Sequence, residues 1–166
     1  MILLQPMNET EYQEYLDVAI ANYAQEHVRA GRWNAEDALQ KATQEYADIL
    51  TDGLHTKNQY LFTLVDEVDE QTATNVGMLW FAATERAGER GAFVYDVNIY
   101  EPFRRCGYGE QAFLAMETKA RELGLKKIGL HVFGHNHAAR AMYEKLDYVT
   151  TNVQMSKSLD TNLPLL

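Results

Sequence analysis

The residues best suited to chemistry lie in one stretch of the sequence, Asp96–Glu110. Two arginines, Arg104 and Arg105, are followed by two glycines, Gly107 and Gly109, in a loop that leads into a predicted helix. A helix N-terminus presents free backbone N–H groups and a partial positive charge, and glycines let a phosphate approach the backbone closely. The loop therefore predicts a site for a phosphorylated ligand, although a tight turn that needs glycine at positive φ has the same pattern.

One candidate for such a ligand is a dinucleotide, because Gly107–Ala112 matches the G-x-G-x-x-A string of Rossmann folds. In that fold the first glycine directly follows a strand, whereas seven residues, Tyr100–Cys106, come between the predicted strand and the glycine here. An acidic residue is also expected about 20 positions further on, and Lys127–His135 contains none. A Rossmann-type nucleotide binder is therefore the weaker alternative.

The elements that position the loop follow from the spacing of apolar residues. Helices are predicted from Asn8 or Thr10 to Ala30, from Asn34 to Asp52, from Gly107 to Leu123 and from Asn136 to Leu146. Strands are predicted at Ile2–Leu4, Tyr60–Val65, Val76–Ala83, Ala92–Tyr100, Lys127–Phe133 and Tyr148–Met155, with polar turns at Asp66–Asn75 and Glu85–Gly91. Short connections favour an antiparallel meander among the middle strands, and the later strand–helix–strand order favours a parallel crossover. This order predicts a mixed α/β sheet with helices on both faces.

Length and composition are those of a single globular domain, expected over residues 1–158 with a tail at 159–166. The chain has 166 residues and a net charge of −9, which argues against non-specific nucleic-acid binding. Its longest uncharged stretch, Gln71–Thr84, is too short and too polar to span a bilayer, and the N-terminus does not resemble a signal peptide. We therefore expect a cytoplasmic protein that partners neither nucleic acid nor membrane.

Cysteine and histidine are sparse, which limits redox and metal chemistry. Cys106 is the sole cysteine, so no disulfide forms within the chain. His131, His135 and His137 lie close in sequence, but no carboxylate or thiolate completes them at ligand spacing. No metal cofactor is expected.

Charge is divided unevenly along the chain. Residues 1–70 hold 4 Lys and Arg against 14 Asp and Glu, whereas residues 71–166 hold 11 against 10. An anionic ligand is therefore expected on the C-terminal half and a cationic ligand near the N-terminal half. A solvated acidic helix face would give the same pattern.

Two motifs of this sequence resemble those of the GNAT superfamily of acyl-CoA-dependent N-acyltransferases. The glycine loop is similar to the R/Q-x-x-G-x-G/A signature, and a second motif follows in the family's order and spacing. The resemblance covers Phe93–Met155, with Asp147-Tyr148 standing where the family usually has Gly-Phe. The matching residues are Arg104, Gly107 and Gly109 of the first motif and Leu130, Val132, Asn136, Ala139 and Tyr143 of the second.

The resemblance implies an N-acetyltransferase that uses acetyl-CoA, with a GNAT-like, mostly antiparallel sheet splayed between Ala92–Tyr100 and Lys127–Phe133. The glycine loop would wrap the pyrophosphate of coenzyme A, the first of these strands would pair with the pantetheine arm, and Asn136 would bond to that arm or simply cap its helix. The implied acetyl-CoA positions are Val97, Asn98, Ile99, Arg104, Arg105, Cys106, Gly107, Tyr108, Gly109, Glu110, Asn136 and Tyr143.

The implied reaction is direct attack of a neutral primary amine on the acetyl thioester. The backbone N–H of Val97, or one close to it, would donate to the developing oxyanion. Tyr143 matches the general acid of the family, although an aromatic core residue fits the same helix pattern. Asp96 and His131 are the first candidates for the general base. Glu26, His27 or a chain of water molecules are the alternatives.

The resemblance leaves the acceptor and the assembly open. The expected acceptor is a small-molecule or peptide amine, and the acidic N-terminal half favours a cationic one. A homodimer is compatible with the family, which includes many dimers. A module that binds coenzyme A for regulation, with no acceptor, is the non-enzyme alternative.

Overall fold

A computed structural model describes residues 1–69, 72–157 and 159 of the chain. One sheet in the order β1–β2–β3–β4–β5 forms its centre. Its strands are β1 (Ile2–Pro6), β2 (Gln59–Asp69), β3 (Thr72–Arg86), β4 (Glu89–Ile99) and β5 (Ile128–Leu130). The first four are antiparallel to their neighbours, and β5 is parallel to β4. The predicted tail at 159–166 lies outside the described residues except for Leu159.

Four helices cover the two faces of this sheet: α1 (Glu9–Arg29), α2 (Ala38–Ile49), α3 (Tyr108–Glu122) and α4 (His137–Lys145). Side chains of α1 and α2 pack on one face, and those of α3 and α4 pack on the other. The first core contains Tyr12, Tyr15, Tyr46, Leu61, Met78 and Trp80. The second contains Leu64, Leu79, Phe81, Val94, Phe113 and Met116. The predicted mixed α/β sheet with helices on both faces is confirmed.

The first two helices differ in how well their starts were predicted. Asn8 caps α1 as expected: its side chain accepts from the Glu11 N–H at 3.0 Å, and the Glu11 carboxylate accepts from the Asn8 N–H at 2.9 Å. The prediction that α2 begins at Asn34 is wrong, because Asp37 is the N-cap. Trp33 stacks on a histidine of α1 with ring centroids 4.0 Å apart. Residues 34–37 are therefore needed to reverse the chain.

The hairpins are tighter than their polar sequences predicted. The predicted turn at Asp66–Asn75 is mostly strand, since Asp66 pairs with Thr74 across β2 and β3; residues 70 and 71 lie outside the described part of the chain. The predicted turn at Glu85–Gly91 shortens to Ala87 and Gly88, both at positive φ. Backbone pairing continues into polar residues because one face of a hairpin can remain in solvent.

The C-terminal prediction fails. β5 has three residues instead of the seven predicted at Lys127–Phe133, and Tyr148–Met155 forms no strand. Val149 and Val153 are 81% and 73% exposed, so the apolar residues of this segment find no sheet face to cover. Alternation alone therefore predicted a strand that lacks a partner.

Candidate active site

A cleft opens in the sheet where β4 and β5 separate. The two strands pair only from Ala92 with Ile128 to Val94 with Leu130. Beyond that point β4 continues to Ile99, and no strand formed by the described residues pairs with it on this side. The predicted splay between these strands is therefore present.

Backbone groups of β4 face this cleft. The Tyr100 N–H donates to the Val76 oxygen at 2.9 Å. This bond shows which residues of β4 direct their backbone groups to β3. Antiparallel pairs alternate, so Val97 and Ile99 direct their N–H and C=O groups away from β3. Arg104 Nε donates to the Ile99 oxygen at 2.8 Å, and the Val97 N–H lies against the Asp96 carboxylate. The other outward groups have no hydrogen-bond partner among the described residues, so an extended ligand can pair with them.

The glycine loop leads from the cleft into α3. Gly107, at φ 82°, is the N-cap, and no side chain caps this helix. The N–H groups of Tyr108, Gly109 and Glu110 have no acceptor among the described residues. Arg105 also has a left-handed φ, of 65°. Four unpaired helix N–H groups are the usual binding site for a phosphate, and the loop presents three of them.

Several side chains of the loop hold it in place instead of pointing to a ligand. Arg104 also donates to Asn98 Oδ1 at 3.5 Å, and the exposed Cys106 thiol donates to the Arg104 oxygen at 3.4 Å. The Tyr108 hydroxyl donates to Asp66 at 2.6 Å, outside the cleft. These bonds attach the loop to β4 and β2, and they leave the backbone as its recognition surface.

Gly109 has a packing role that the sequence did not reveal. A Cβ atom at this position would lie 2.8 Å from Met142 Sδ of α4, whereas a Cβ at Gly107 would meet open space. Gly109 therefore leaves room for the end of the Met142 side chain. Lys145 of α4 reinforces this contact by donating to both carboxylate oxygens of Glu110, at 2.6 and 2.7 Å.

Helix α4 brings the second motif to the same region. Asn136 Oδ1 accepts from the Ala139 N–H at 3.2 Å, so Asn136 is the N-cap. Tyr143 packs edge-on against Phe113, with ring centroids 5.1 Å apart, and beside Tyr148. Burial, with the nearby charge of Asp96, raises the pKa of Tyr143 to about 12. The phenol therefore keeps its proton at neutral pH.

Asp96 faces α1 because β4 contains a bulge. The ladder pairs Trp80 with Asp96 and Phe81 with Val94, so Tyr95 is an extra residue. Val94 belongs to the core on the α3 side, and strict alternation would place Asp96 in that core too. The bulge turns Asp96 to the other face, as bulges near active sites often do.

The environment of Asp96 suits proton transfer. Burial raises its pKa to about 6, against the lowering effect of the Tyr15 hydroxyl and the Val97 N–H. The Tyr15 hydroxyl donates to Asp96 Oδ2 at 3.1 Å. Sequence reasoning missed Tyr15, whose one signal is its place on the apolar side of α1.

A cavity of about 740 Å³ lies beside Asp96, between α1 and the open ends of β4 and β5. Its acidic end holds Glu11 and Glu14. Burial raises the pKa of Tyr100 at this end, and the charges of Glu11 and Glu14 raise it further. At its opposite end lie Arg32, His27 and His131. Glu26 also lines this end of the cavity, where it is paired with Arg29 and His135.

The remaining candidate bases also line this cavity. His131 lies one residue beyond β5, and burial and the charge of Arg32 lower its pKa. Glu26 Oε2 is 2.9 Å from His135 Nε2, so its carboxylate is already engaged. His27 is buried against Trp33. The structure thus gathers Asp96 and His131 at one cavity. Tyr143 packs on the other face of the sheet and is not among the residues that line this cavity, although the charge of Asp96 contributes to its raised pKa.

Within the described ranges, no group of three or more His, Cys, Asp or Glu side chains is placed to hold a metal ion. None of the helices described has the length and apolar character needed to cross a bilayer.

A splayed mixed sheet with a glycine loop at the start of α3 defines a GNAT-type acetyltransferase. The model of the Acetyltransferase (GNAT) family matches residues 13–148, and the chain belongs to this family. It is therefore an acetyltransferase, and the Rossmann alternative is excluded. Enzymes of this family use acetyl-CoA as co-substrate in general.

Relatives support the same class along most of the chain. An uncharacterized N-acetyltransferase of Bacillus subtilis, YycN, is 40% identical over 158 residues, covering 95% of this chain and 99% of that protein. A second, YdgE, also uncharacterized, is 31% identical over 156 residues, covering 94% and 97%. The crystal structure of YycN superimposes with a TM-score of 0.88, covering 96% of this chain and 99% of the other.

Proposed function

We propose that this chain transfers the acetyl group of acetyl-CoA to the primary amine of a small molecule or peptide. The observation that carries the proposal is the end of the β4–β5 pairing at Val94 and Leu130. The backbone of Val97 and Ile99 is thereby left open beside the free N–H groups of α3. An extended pantetheine arm ending in a pyrophosphate needs both features in this order.

The residues present fit acetyl-CoA. The N–H groups of Tyr108, Gly109 and Glu110 would receive the pyrophosphate, because they are unpaired and lie at a positive helix end. Val97 would pair with the pantetheine arm as an added strand does. Asn136 would donate to that arm through Nδ2, since its Oδ1 already caps α4.

The reaction balances with Asp96 as the proton acceptor and Tyr143 as the proton donor. The neutral amine forms a bond to the thioester carbon, the carbon–sulfur bond breaks, and the nitrogen loses one proton while the sulfur gains one. Asp96, with a pKa near 6, is ionised at neutral pH and accepts the amine proton, directly or through water. Tyr143 donates to the departing sulfur. The pKa of Tyr143 exceeds that of a free thiol in water. Burial raises the pKa of the departing thiol as well, so the difference between donor and acceptor becomes smaller.

The acceptor binds as a cation in the cavity along α1. Glu11 and Glu14 lie at its acidic end, and Tyr15, Tyr95 and Tyr100 supply aromatic surface. Carboxylates and aromatic faces both attract an ammonium group. The ammonium loses one proton to Asp96 before it attacks, and Asp96 passes this proton to water. The carboxylate can then accept the second proton from the acylated nitrogen, and solvent returns a proton to Tyr143.

A thiol-release assay with acetyl-CoA and a panel of amines tests the proposal. We expect steady release of coenzyme A with at least one primary amine, together with an acetylated product by mass spectrometry. Binding of coenzyme A without turnover of any amine would instead support the regulatory module.

The placement of the pyrophosphate is tested with a charged and a neutral variant at one exposed position. Cys106→Asp puts a carboxylate next to the free N–H groups of α3, where it competes with and repels a phosphate. We expect calorimetry to show at least a ~10-fold weaker affinity for coenzyme A than in the isosteric Cys106→Asn. Equal affinities in the two variants would place the pyrophosphate elsewhere.

A further inference from the structure

The end of the cavity away from Glu11 is built around Phe133. The Arg32 guanidinium lies over this ring at 5.3 Å from its centroid. His27 and His131 meet the ring edge-on, with centroids 5.9 and 5.2 Å away. His135, which pairs with Glu26, stacks on the same ring with centroids 5.5 Å apart. Four nitrogen-bearing side chains therefore converge on one apolar support, and we call this the Arg32 end.

His27 is the most buried member of this group. The residue is only 9% exposed, and none of the described residues provides a hydrogen-bond partner for Nδ1. Burial and the charge of Arg32 lower its pKa, so the ring is neutral and keeps one proton. Nε2 also has no partner in the described part of the chain, but unlike Nδ1 it is accessible. Because His27 lines the cavity, this accessible nitrogen reaches it. A polar ring held this firmly, with no protein partner, points to a ligand.

Arg32 supplies the charge. Its guanidinium makes one hydrogen bond among the described residues, to Gln154 Oε1 at 3.1 Å, and none of the ion pairs found there includes it. Two carboxylates lie near, but both are engaged: Glu45 accepts from the Tyr23 hydroxyl at 2.8 Å, and Glu26 pairs with His135. The guanidinium therefore keeps donors available on the cavity side.

We propose that the Arg32 end binds an anionic oxygen group, a carboxylate or a phosphate, carried by the amine acceptor itself. The acceptor is then a bipolar molecule whose amine lies at Asp96 and whose anionic group lies at Arg32 and His27. This inference rests on the proposed function and narrows its substrate class.

The charges along α1 favour this orientation over its reverse, because the one carboxylate that lines the Arg32 end, Glu26, is paired with Arg29 and His135. Glu11 and Glu14 repel an anion from the acidic end, and Arg32 repels an ammonium from the other end. Both effects align a bipolar acceptor in one direction, which brings its amine and not its anionic group to Asp96. Correct alignment before reaction is itself a source of rate.

The test compares matched acceptors on the unaltered protein with saturating acetyl-CoA. The set consists of straight-chain primary amines that end in a methyl, an ammonium, a carboxylate or a phosphate group, in several chain lengths. We expect kcat/KM for the best carboxylate or phosphate acceptor to exceed that of the methyl-terminated amine of equal length by ~10-fold or more. The carboxylate and phosphate arms identify which anionic group is preferred.

Two variants of neighbouring arginines locate the effect. Arg32→Gln should remove most of the advantage of the anionic acceptor over its methyl-terminated match. The control is Arg29→Gln, which removes an equal charge next to the cavity. Arg29 is paired with Glu26 at 3.8 Å, so this variant should keep the preference for the anionic acceptor. Circular dichroism of both variants checks that they fold.

The outcomes separate this inference from the function on which it rests. If no amine of any class is acetylated, the proposed function fails. If methyl- or ammonium-terminated amines react as well as the anionic ones, only the inference fails. An advantage that persists in Arg32→Gln would also overturn it, because the anion would then bind elsewhere.

Discussion

Asp96 is held in a place that favours its chemistry at a cost to stability. Burial raises its pKa from 3.8 to about 6, so the ionised form is disfavoured in the folded protein. Asp96→Asn removes the charge but keeps an oxygen to accept from the Tyr15 hydroxyl. We therefore expect a variant that is more stable and nearly inactive.

The size of the stability gain in Asp96→Asn and its dependence on pH follow from the raised pKa of Asp96. Two pKa units correspond to about 3 kcal/mol, and the donors that asparagine adds offset part of this, so the expected gain is about 1–3 kcal/mol above pH 7. Below pH ~3.8 the carboxyl is protonated in both states and there is no cost. As pH rises toward 6 the unfolded chain releases the proton first, so this group lowers the stability of the wild-type protein progressively.

Urea unfolding at about pH 4.5 and pH 7.5 measures the change in stability, and the acetyl-CoA assay measures the loss of activity. The Asp96→Asn gain should be larger at the higher pH, and kcat/KM should fall by ~10²-fold or more. Asp17→Asn, an exposed change of equal charge on α1, is the control. A variant that is no more stable than the wild type above pH 7 would refute the burial argument, and full activity would leave His131 as the base.

Two further variants separate chemistry from packing around α4. Tyr143→Phe should lower kcat by ~10²-fold, with little change in stability. The matched control is Tyr148→Phe, which removes a buried hydroxyl that has no partner among the described residues and should keep kcat. Equal kcat values in the two variants would exclude Tyr143 as the acid. Asp147→Gly should raise the free energy of unfolding by up to ~1 kcal/mol, since Asp147 has φ 62° at the end of α4 and glycine relieves left-handed strain; a lower urea midpoint would contradict this.

The sequence predicted best what local residues determine. The cap at Asn8, the glycine loop before α3 and the cap at Asn136 each depend on neighbours a few positions away. The departure at Asp147 is also local. Asp147 adopts the left-handed φ that glycine would supply, and the Tyr148 N–H still closes the helix on the Tyr143 oxygen at 2.9 Å.

Features that depend on distant partners were predicted poorly. The segment Tyr148–Met155 alternates like a strand, but whether it pairs is decided by a sheet edge more than 15 residues away in sequence. Gly109 reads as a phosphate-binding glycine, yet its hydrogen faces Met142 of α4. The Arg32 end unites residues of α1, its following loop and the segment after β5, and no spacing in the sequence marks them as neighbours.

Asp96 shows how one local irregularity decides the chemistry of a site. By alternation it belongs in the core with Val94, where a carboxylate would have no use and a large desolvation cost. The extra residue Tyr95 turns it toward Tyr15 and the cavity, and leaves Val97 in register to face the cleft. In the proposed reaction, one bulge thus puts Asp96 on the acceptor side and the backbone of Val97 on the acetyl-CoA side of the same strand. The two substrates of the proposed reaction meet at Asp96 and Val97 because of it.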